Sequence, residues 1–352
     1  MKIGIISTMV FPSPSRGYAG LEEVAAGLAQ SLGAMGNEVT LICTVGSQAT
    51  FKERWPTSNV KIFECEQPSF QNPEQNAYTK YSEILKEFDV VLDHTWQFWA
   101  MNSKKENNSL KIIKVLHGLR PWGSKPPIEK PCLCGVSKFH RDYITTVYQT
   151  NAEYAYNGID LDLYPLEEKK EDFLVYLSRM SYYKGALQFI DLCKKANMKG
   201  VLMGSDQYIE DPGFVMEVMR RCDGKQIQYM GEVSHDLKIH YLKNAKALIS
   251  PLLPEYSEVF GLNLVEANAC GTPVIATRSG AVSEVIEDGV SGFVAENVPQ
   301  ILQHLKKVDG YLGQIDEIQP KSCRLNAEKF SKEKCAEGYM ALMRKVLNGE
   351  EW

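Results

Sequence analysis

The 352-residue chain lacks several things, and each absence excludes something. No apolar run approaches the roughly 18 residues of a membrane-spanning helix. Net charge is −5, so no basic field is available to draw the chain onto nucleic acid. No low-complexity tract or short-period repeat is visible, which sets aside solenoids and disordered tails. The nine cysteines are odd in number and scattered. Only Cys132 and Cys134 stand close, and C-x-C without a second cluster is poor metal-ligand spacing, so no metal site is expected. Cys43, Cys193 and Cys270 fall in apolar surroundings and read as small buried hydrophobes, which implies a reduced, cytoplasmic setting. Met1–Ile6 is too short for a signal peptide and reads as a first strand. An amphipathic face would leave little trace in composition, so peripheral membrane contact stays open, as does the oligomeric state.

What is present is ordinary globular composition, 44% hydrophobic and 24% charged, at a length that supports two cores. Short apolar segments alternate with helical patterns twice over. The first series has strands at Ile3–Ser7, Val39–Cys43, Val90–Leu92, Ile112–Leu116 and Leu133–Val136, with helices at Leu21–Met35, Tyr78–Phe88 and Lys138–Val147. A turn near Asn157–Asp160 and the charged run Glu167–Asp172 mark a boundary, placed between residues 168 and 169. The second series has strands at Phe173–Leu177, Val201–Gly204, Ile227–Met230, Ala247–Ser250, Val274–Thr277 and Phe293–Val294, with helices at Ala186–Ala196, Asp236–Asn244, Leu262–Ala269 and Pro299–Lys307. This alternation predicts an α/β protein of two Rossmann-like domains, residues 1–168 and 169–330, facing a cleft. A last helix, about 331–346, is expected to pack back near the first domain.

The most informative stretch is Glu258 to Ala276, E-V-F-G-L-N-L-V-E-A-N-A-C-G-T-P-V-I-A. Phe260-Gly261-Leu262 reads as a loop turning into a helix, with Leu262, Val265 and Ala269 on its buried face. A helix opening beside a glycine offers free N–H groups and a positive dipole end to a phosphate. Glu258 stands just before that end and Glu266 lies further along the helix. Each can accept hydrogen bonds from hydroxyls on one side of the phosphate, and a diphosphate flanked by two polyols is a nucleotide-sugar.

Arg179 and Lys184 follow the second domain's first strand in Y-L-S-R-M-S-Y-Y-K-G. A departing diphosphate carries about two to three negative charges that fixed cations can neutralise, and arginine offers a forked, permanently charged donor set. The plain alternative is a surface Arg and Lys in a loop. His117 and His94 end two strands of the first domain, where a lone histidine is more often a structural hydrogen-bonder. The loop Arg16–Glu22 brings glycines to the first helix, as α/β turns commonly do.

With these residues in view, the segment from Glu258 resembles the signature of retaining glycosyltransferases of family 4, which have the GT-B fold. The likeness runs from Ile3 to about Tyr339, thinning at Phe51–Tyr78 and Asp206–Lys225. It implies that Glu258 holds hydroxyls of the donor sugar and Glu266 the ribose diol. Backbone N–H groups around Phe260, Gly261, Leu262 and Asn263 would meet the phosphates. It implies catalytic roles for Arg179 and Lys184, matching the family's R…K-G pattern, and for His117 beside the reactive carbon. His94 resembles a second family histidine and is placed on the acceptor side with Arg120 and Trp122; Trp96 and Trp99 are further candidates for an aromatic platform. Gly20 matches the family's Y-G-G-[IL]-E element, in which Ala19 replaces the first glycine. Glu284 and Gly289 also match, as structural support.

The activity so implied is metal-independent, retaining transfer of a hexose from a nucleotide-diphosphate sugar, UDP-sugar favoured, without a cofactor. The acceptor is a hydroxyl on a small molecule, glycan or lipid-linked molecule. A nucleotide-sugar epimerase of the same fold would need an acid/base carboxylate pair that no motif supplies. A non-catalytic nucleotide-sugar binder would be favoured by loss of Arg179, Lys184, Glu258 or Glu266, and all four are present.

Overall fold

The computed structural model describes residues 1–17, 19–66, 71–119, 125–205, 211–305 and 313–352. They form two compact units, Met1–Ile159 with Ser331–Trp352, and Asp160–Phe330.

The first unit is built on seven strands: β1 (Lys2–Ile6), β2 (Glu38–Thr44), β3 (Lys61–Cys65), β4 (Val90–Asp93), β5 (Ile112–Val115), β6 (Leu133–Gly135) and β7 (Ala152–Tyr154). Their order is β3-β2-β1-β4-β5-β6-β7, every pair parallel. Runs such as Ile3–Ile6 and Val90–Leu92 are buried, as strands covered by helices on both faces must be. The order reverses between β1 and β4. That reversal opens a crevice at the carboxyl ends of the strands, where α/β sheets bind ligands.

The second unit repeats the plan with β8 (Glu171–Leu177), β9 (Lys199–Met203), β10 (Ile227–Gly231), β11 (Ala245–Ser250), β12 (Val274–Thr277) and β13 (Gly292–Ala295). Their order is β10-β9-β8-β11-β12-β13, again all parallel, and the switch point lies between β8 and β11. Its core joins Leu174, Tyr176, Phe189, Ile190, Leu202 and Ile249.

The chain leaves the first unit at Ile159, ahead of the charged run that had suggested a boundary after Glu168. The reason is Arg324. Its guanidinium donates to the carbonyls of Leu161 and Tyr164 and to that of Ala269, tying residues 161–164 to the second unit. The chain re-enters the first unit at Ser331, whose hydroxyl accepts from Lys334 N–H and caps the helix Lys332–Leu347. That helix lies along Gly20–Ala34. Lys332 N–H donates to Ile159 carbonyl at 2.8 Å, so both crossings of the boundary are tied together. Beyond it, the Trp352 indole donates to Leu133 carbonyl at 2.8 Å and Glu351 pairs with the buried Lys104.

Other departures are local. The expected helix Tyr78–Phe88 is an α-helix at Pro73–Tyr81 followed by a 3-10 turn at Ser82–Glu87. Among the described residues, no helix is long and apolar enough to cross a membrane, no three potential metal ligands converge, and all nine cysteines are free.

Candidate functional site

In the second unit the loops after β8, β11 and β12 interlock at the switch point. Gly185, at φ +78°, sits where a Cβ would lie 2.0 Å from Pro251 carbonyl oxygen, so only glycine lets the β8 loop meet the β11 loop. Leu253 N–H donates to Tyr183 carbonyl across the same seam. Ser279 Oγ, from the β12 loop, accepts from Glu258 N–H at 3.2 Å and donates to Tyr256 carbonyl at 2.6 Å. Ala281 N–H donates to Glu258 carbonyl at 2.8 Å. Glu258 is therefore held by its backbone before its side chain makes any contact.

Its carboxylate pairs with Lys184, Nζ to Oε2 2.6 Å, with only 13% and 12% of the two side chains exposed. The ammonium also lies 4.1 Å from the centre of the Tyr256 ring. Burial alone would lower the Lys184 pKa, but the Glu258 carboxylate and Tyr256 outweigh it and raise it, so this cation is fixed. Glu266 has the same arrangement. Its Oε1 accepts from Tyr164 Oη at 2.6 Å and Lys238 Nζ at 2.8 Å. Each glutamate thus commits one oxygen to a lysine, and its other oxygen has no partner among the described residues. Glu258 precedes the start of the helix Leu262–Ala269, and Glu266 lies within it.

Gly261 opens that helix at φ +88°, with no side chain to cap it. The first N–H groups of a helix have no i−4 partners; here Leu264 N–H turns back to Gly261 carbonyl at 3.1 Å, and no side chain caps the others. Asn263 does not leave its side chain for a ligand: its amide donates to Leu177 carbonyl at 2.8 Å, fastening the helix start to the end of β8. Leu262 is half-exposed and the helix's buried leucine is Leu264, which differs from the expected face. Phe260 is 1% exposed and packs edge-on against Phe330, so its ring belongs to the core and only its backbone is available to a donor. Arg179 is half-buried in the β8 loop; its carbonyl accepts from Ser181 N–H, and its side chain makes no hydrogen bond or ion pair among the described residues. A guanidinium left without a side-chain partner has its forked donor set open to an anion.

The Glu266 contacts carry a pH consequence. Burial would raise the carboxyl's pKa, but the Lys238 charge and the two hydrogen bonds lower it below its usual 4.5. A lowered folded pKa stabilises the fold above the unfolded value, and that stabilisation disappears as pH falls through the lowered value. Removing the tyrosine hydroxyl in Y164F removes a charge-assisted hydrogen bond and should cost about 1.5–2 kcal/mol at pH 7. The loss should shrink below pH 4.5, which urea midpoints at pH 7 and pH 3.5 will check.

In the first unit the loops after β4 and β5 bring His94 and His117 together. His94 Nδ1 lies 2.9 Å from His117 Nε2, with the rings stacked at 5.1 Å. His94 is fully buried and His117 half-buried. Burial, reinforced by nearby charges, pushes His94 down to about 3 and His117 well below its usual range, so both are neutral. Beneath them Lys114 and Asp93 form a fully buried pair at 3.1 Å, and Lys114 also donates to the Thr95 carbonyl. Gly20 begins the first helix, after Ala19, without a side-chain cap. Trp96 N–H and Gln97 N–H donate to the buried Glu74, and Trp99 stacks near Tyr78. Arg120 and Trp122 lie outside the described residues. Glu284 sits in the short helix after β12, its N–H on the carbonyl of the Ala281 that holds Glu258, and Gly289 forms an exposed turn at φ +75° before β13.

Tyr164 and Lys238 are the site residues that sequence reasoning missed. Neither lies in a motif, and they stand 102 and 28 positions from Glu266. The signal for Lys238 was its helix, His235–Asn244, which follows β10 on the face that packs toward Leu262–Ala269.

Comparison with known proteins places this geometry. Residues 164–329 match the family described as glycosyl transferases group 1. An uncharacterized glycosyltransferase of Methanocaldococcus jannaschii is 28% identical over 58% of this chain, though over only 56% of its own length. A second from the same organism is 25% identical over 83% of this chain and 84% of its own. Among solved structures, AviGT4, a glycosyltransferase involved in avilamycin A biosynthesis, has a TM-score of 0.74 at 20% identity, covering 100% of this chain and 99% of that one. HepE of Anabaena, solved in complex with UDP and glucose, has a TM-score of 0.73 at 16% identity, covering 98% of this chain and 100% of its own. Residues 164–329, a little under half of the chain, thus match the group 1 glycosyl transferases, and the chain as a whole has the GT-B fold of these solved glycosyltransferases.

Proposed function

We propose that this chain transfers a hexose, with retention at the anomeric carbon, from a nucleotide-diphosphate sugar to a hydroxyl acceptor. The observation that carries this reading is the pair of lysine-held glutamates, one before and one within a helix whose start is uncapped, together with an Arg179 side chain that has no partner among the described residues. The free oxygen of Glu266 takes the ribose diol and that of Glu258 the sugar hydroxyls. The N–H groups of residues 261–263 and Arg179 take the diphosphate. A UDP-sugar is favoured because the fold neighbours include complexes with UDP and UDP-glucose.

In the transfer step the acceptor oxygen attacks the anomeric carbon while the bond from that carbon to the phosphate oxygen breaks. The acceptor's proton passes to the departing phosphate. No carboxylate at this site takes the place of a covalent nucleophile, since the glutamates serve as hydroxyl clamps. Arg179, Lys184 and the helix start neutralise the developing charge, which gives metal-independent transfer a source of positive charge. The resemblance assigns His117 to the sugar and His94 to the acceptor side; His94 is fully buried, so it acts through His117 and not by touching an acceptor. The acceptor class is a small molecule, glycan or lipid-linked hydroxyl, and the free cysteines support a reduced cytoplasmic setting.

Thermal shift against UDP-, GDP- and ADP-glucose tests the donor. The matching donor at 100 times its Kd should add about 2.7 kcal/mol of stability. No shift with any of the three would contradict the reading.

A further inference from the structure

His94 is fully buried and its ring packs against Tyr339 at 5.8 Å. Its Nδ1 faces His117 Nε2 at 2.9 Å, and its Nε2 is buried with no hydrogen-bond partner among the described residues. A neutral imidazole carries one proton, so two arrangements are open. If His117 donated, the His94 proton would sit on Nε2, a buried N–H with nothing to receive it. Buried N–H groups without partners are rare, and a buried lone pair is the lesser cost. The His94 proton therefore sits on Nδ1, and His117 Nε2 is the acceptor. His117 then carries its own proton on Nδ1, which makes no hydrogen bond among the described residues.

His140 shows the same logic with backbone groups as the guides. Val136 N–H donates to His140 Nδ1 at 3.3 Å, so His140 Nε2–H donates to Gly118 carbonyl at 3.2 Å. The residue after His117 is thus fixed by one neutral histidine and His117 itself by another.

We propose that His94 is a positioning residue that locks His117 in the Nδ1–H tautomer, so that His117 meets the substrate as a hydrogen-bond donor and not as a general base. With its Nε2 lone pair taken by His94, His117 has no basic nitrogen left to receive the acceptor's proton. The part of this inference that concerns substrate rests on the nucleotide-sugar reading above; the tautomer does not.

Long-range proton–nitrogen spectra of the full chain labelled with 15N-histidine, with His117 assigned by H117Q, report the tautomer. Wild type should show a protonated Nδ1 and an unprotonated Nε2 at His117. H94N keeps a donor where His94 Nδ1 stands and should keep that pattern. H94D offers only an acceptor and should move a proton onto His117 Nε2. UDP-glucose turnover should fall about 10²–10³-fold further in H94D than in H94N. A proton on His117 Nε2 in the wild type would overturn the proposal, as would H94D turning over as fast as H94N. Absence of turnover with UDP-, GDP- and ADP-glucose alike in the wild type would contradict the nucleotide-sugar reading instead, and the spectra would still decide the tautomer.

Discussion

R179A should lower UDP-glucose turnover about 10²–10³-fold while leaving the stability of the ligand-free protein within about 0.5 kcal/mol of wild type. The two halves of this expectation come from one observation. The Arg179 side chain has no hydrogen bond or ion pair among the described residues, and the bond from Ser181 N–H to the Arg179 carbonyl survives truncation to alanine. Its work begins only when a diphosphate arrives, and grows as that diphosphate gains charge. Such a group contributes to the transition state more than to the ground state, so kcat should fall more than KM rises.

Lys184 is the internal comparison. It is already paired with Glu258 at 2.6 Å, with both side chains mostly buried. K184M would leave that carboxylate without its cation, at a cost of about 2–4 kcal/mol, and would lower turnover as well. Urea midpoints and turnover measured on both variants therefore separate the two cations. Equal destabilisation in R179A and K184M would contradict the assignment of Arg179 as the open anion site.

G280A should destabilise the fold by about 2–4 kcal/mol and weaken nucleotide-sugar binding about ten- to a hundredfold, although Gly280 is assigned no ligand contact. A Cβ there would lie 2.1 Å from Glu258 carbonyl oxygen and 2.9 Å from its carbonyl carbon and nitrogen. The backbone is at φ +51°, which disfavours any side chain further. Relief can come only by moving Glu258, whose carbonyl is held by Ala281 N–H and whose side chain holds Lys184. The clash is thereby passed to the sugar clamp. Gly289 supplies the control, since it too has positive φ, +75°, but a Cβ there meets nothing within 4 Å. G289A should cost only the backbone strain, about 1–2 kcal/mol, and leave binding unchanged. Calorimetric titration with UDP-glucose on both variants checks the difference; equal weakening would mean that strain, not displacement of Glu258, is the cause.

What could be read from sequence follows the range of the interactions involved. The helix Leu262–Ala269 and strand Val274–Thr277 have the expected bounds, because a glycine, a Thr-Pro stop and an apolar run sit beside each other in the chain. The edge strand Lys61–Cys65 was missed: it is mostly half-buried and carries no apolar run, so only its pairing with β2 defines it. Ala152–Tyr154 is three residues long and equally dependent on its neighbour β6. At the site, Glu258, Glu266, Arg179 and Lys184 were visible as motif members, but their partners were not all visible. Tyr164 and Lys238 reach Glu266 from distant segments, and a lone tyrosine or lysine has no local pattern to mark it. Phe260 shows the opposite case, a motif residue whose position in the signature suggested ligand contact and whose ring the core absorbed against Phe330.

A crystal structure of the chain with bound UDP tests the central claim most directly. The account predicts the diphosphate against the N–H groups of residues 261–263 with the Arg179 guanidinium on its oxygens, and the ribose hydroxyls on the Glu266 oxygen not held by Lys238 and Tyr164. UDP bound elsewhere, or bound with Arg179 and Glu266 both out of hydrogen-bonding reach, would contradict it.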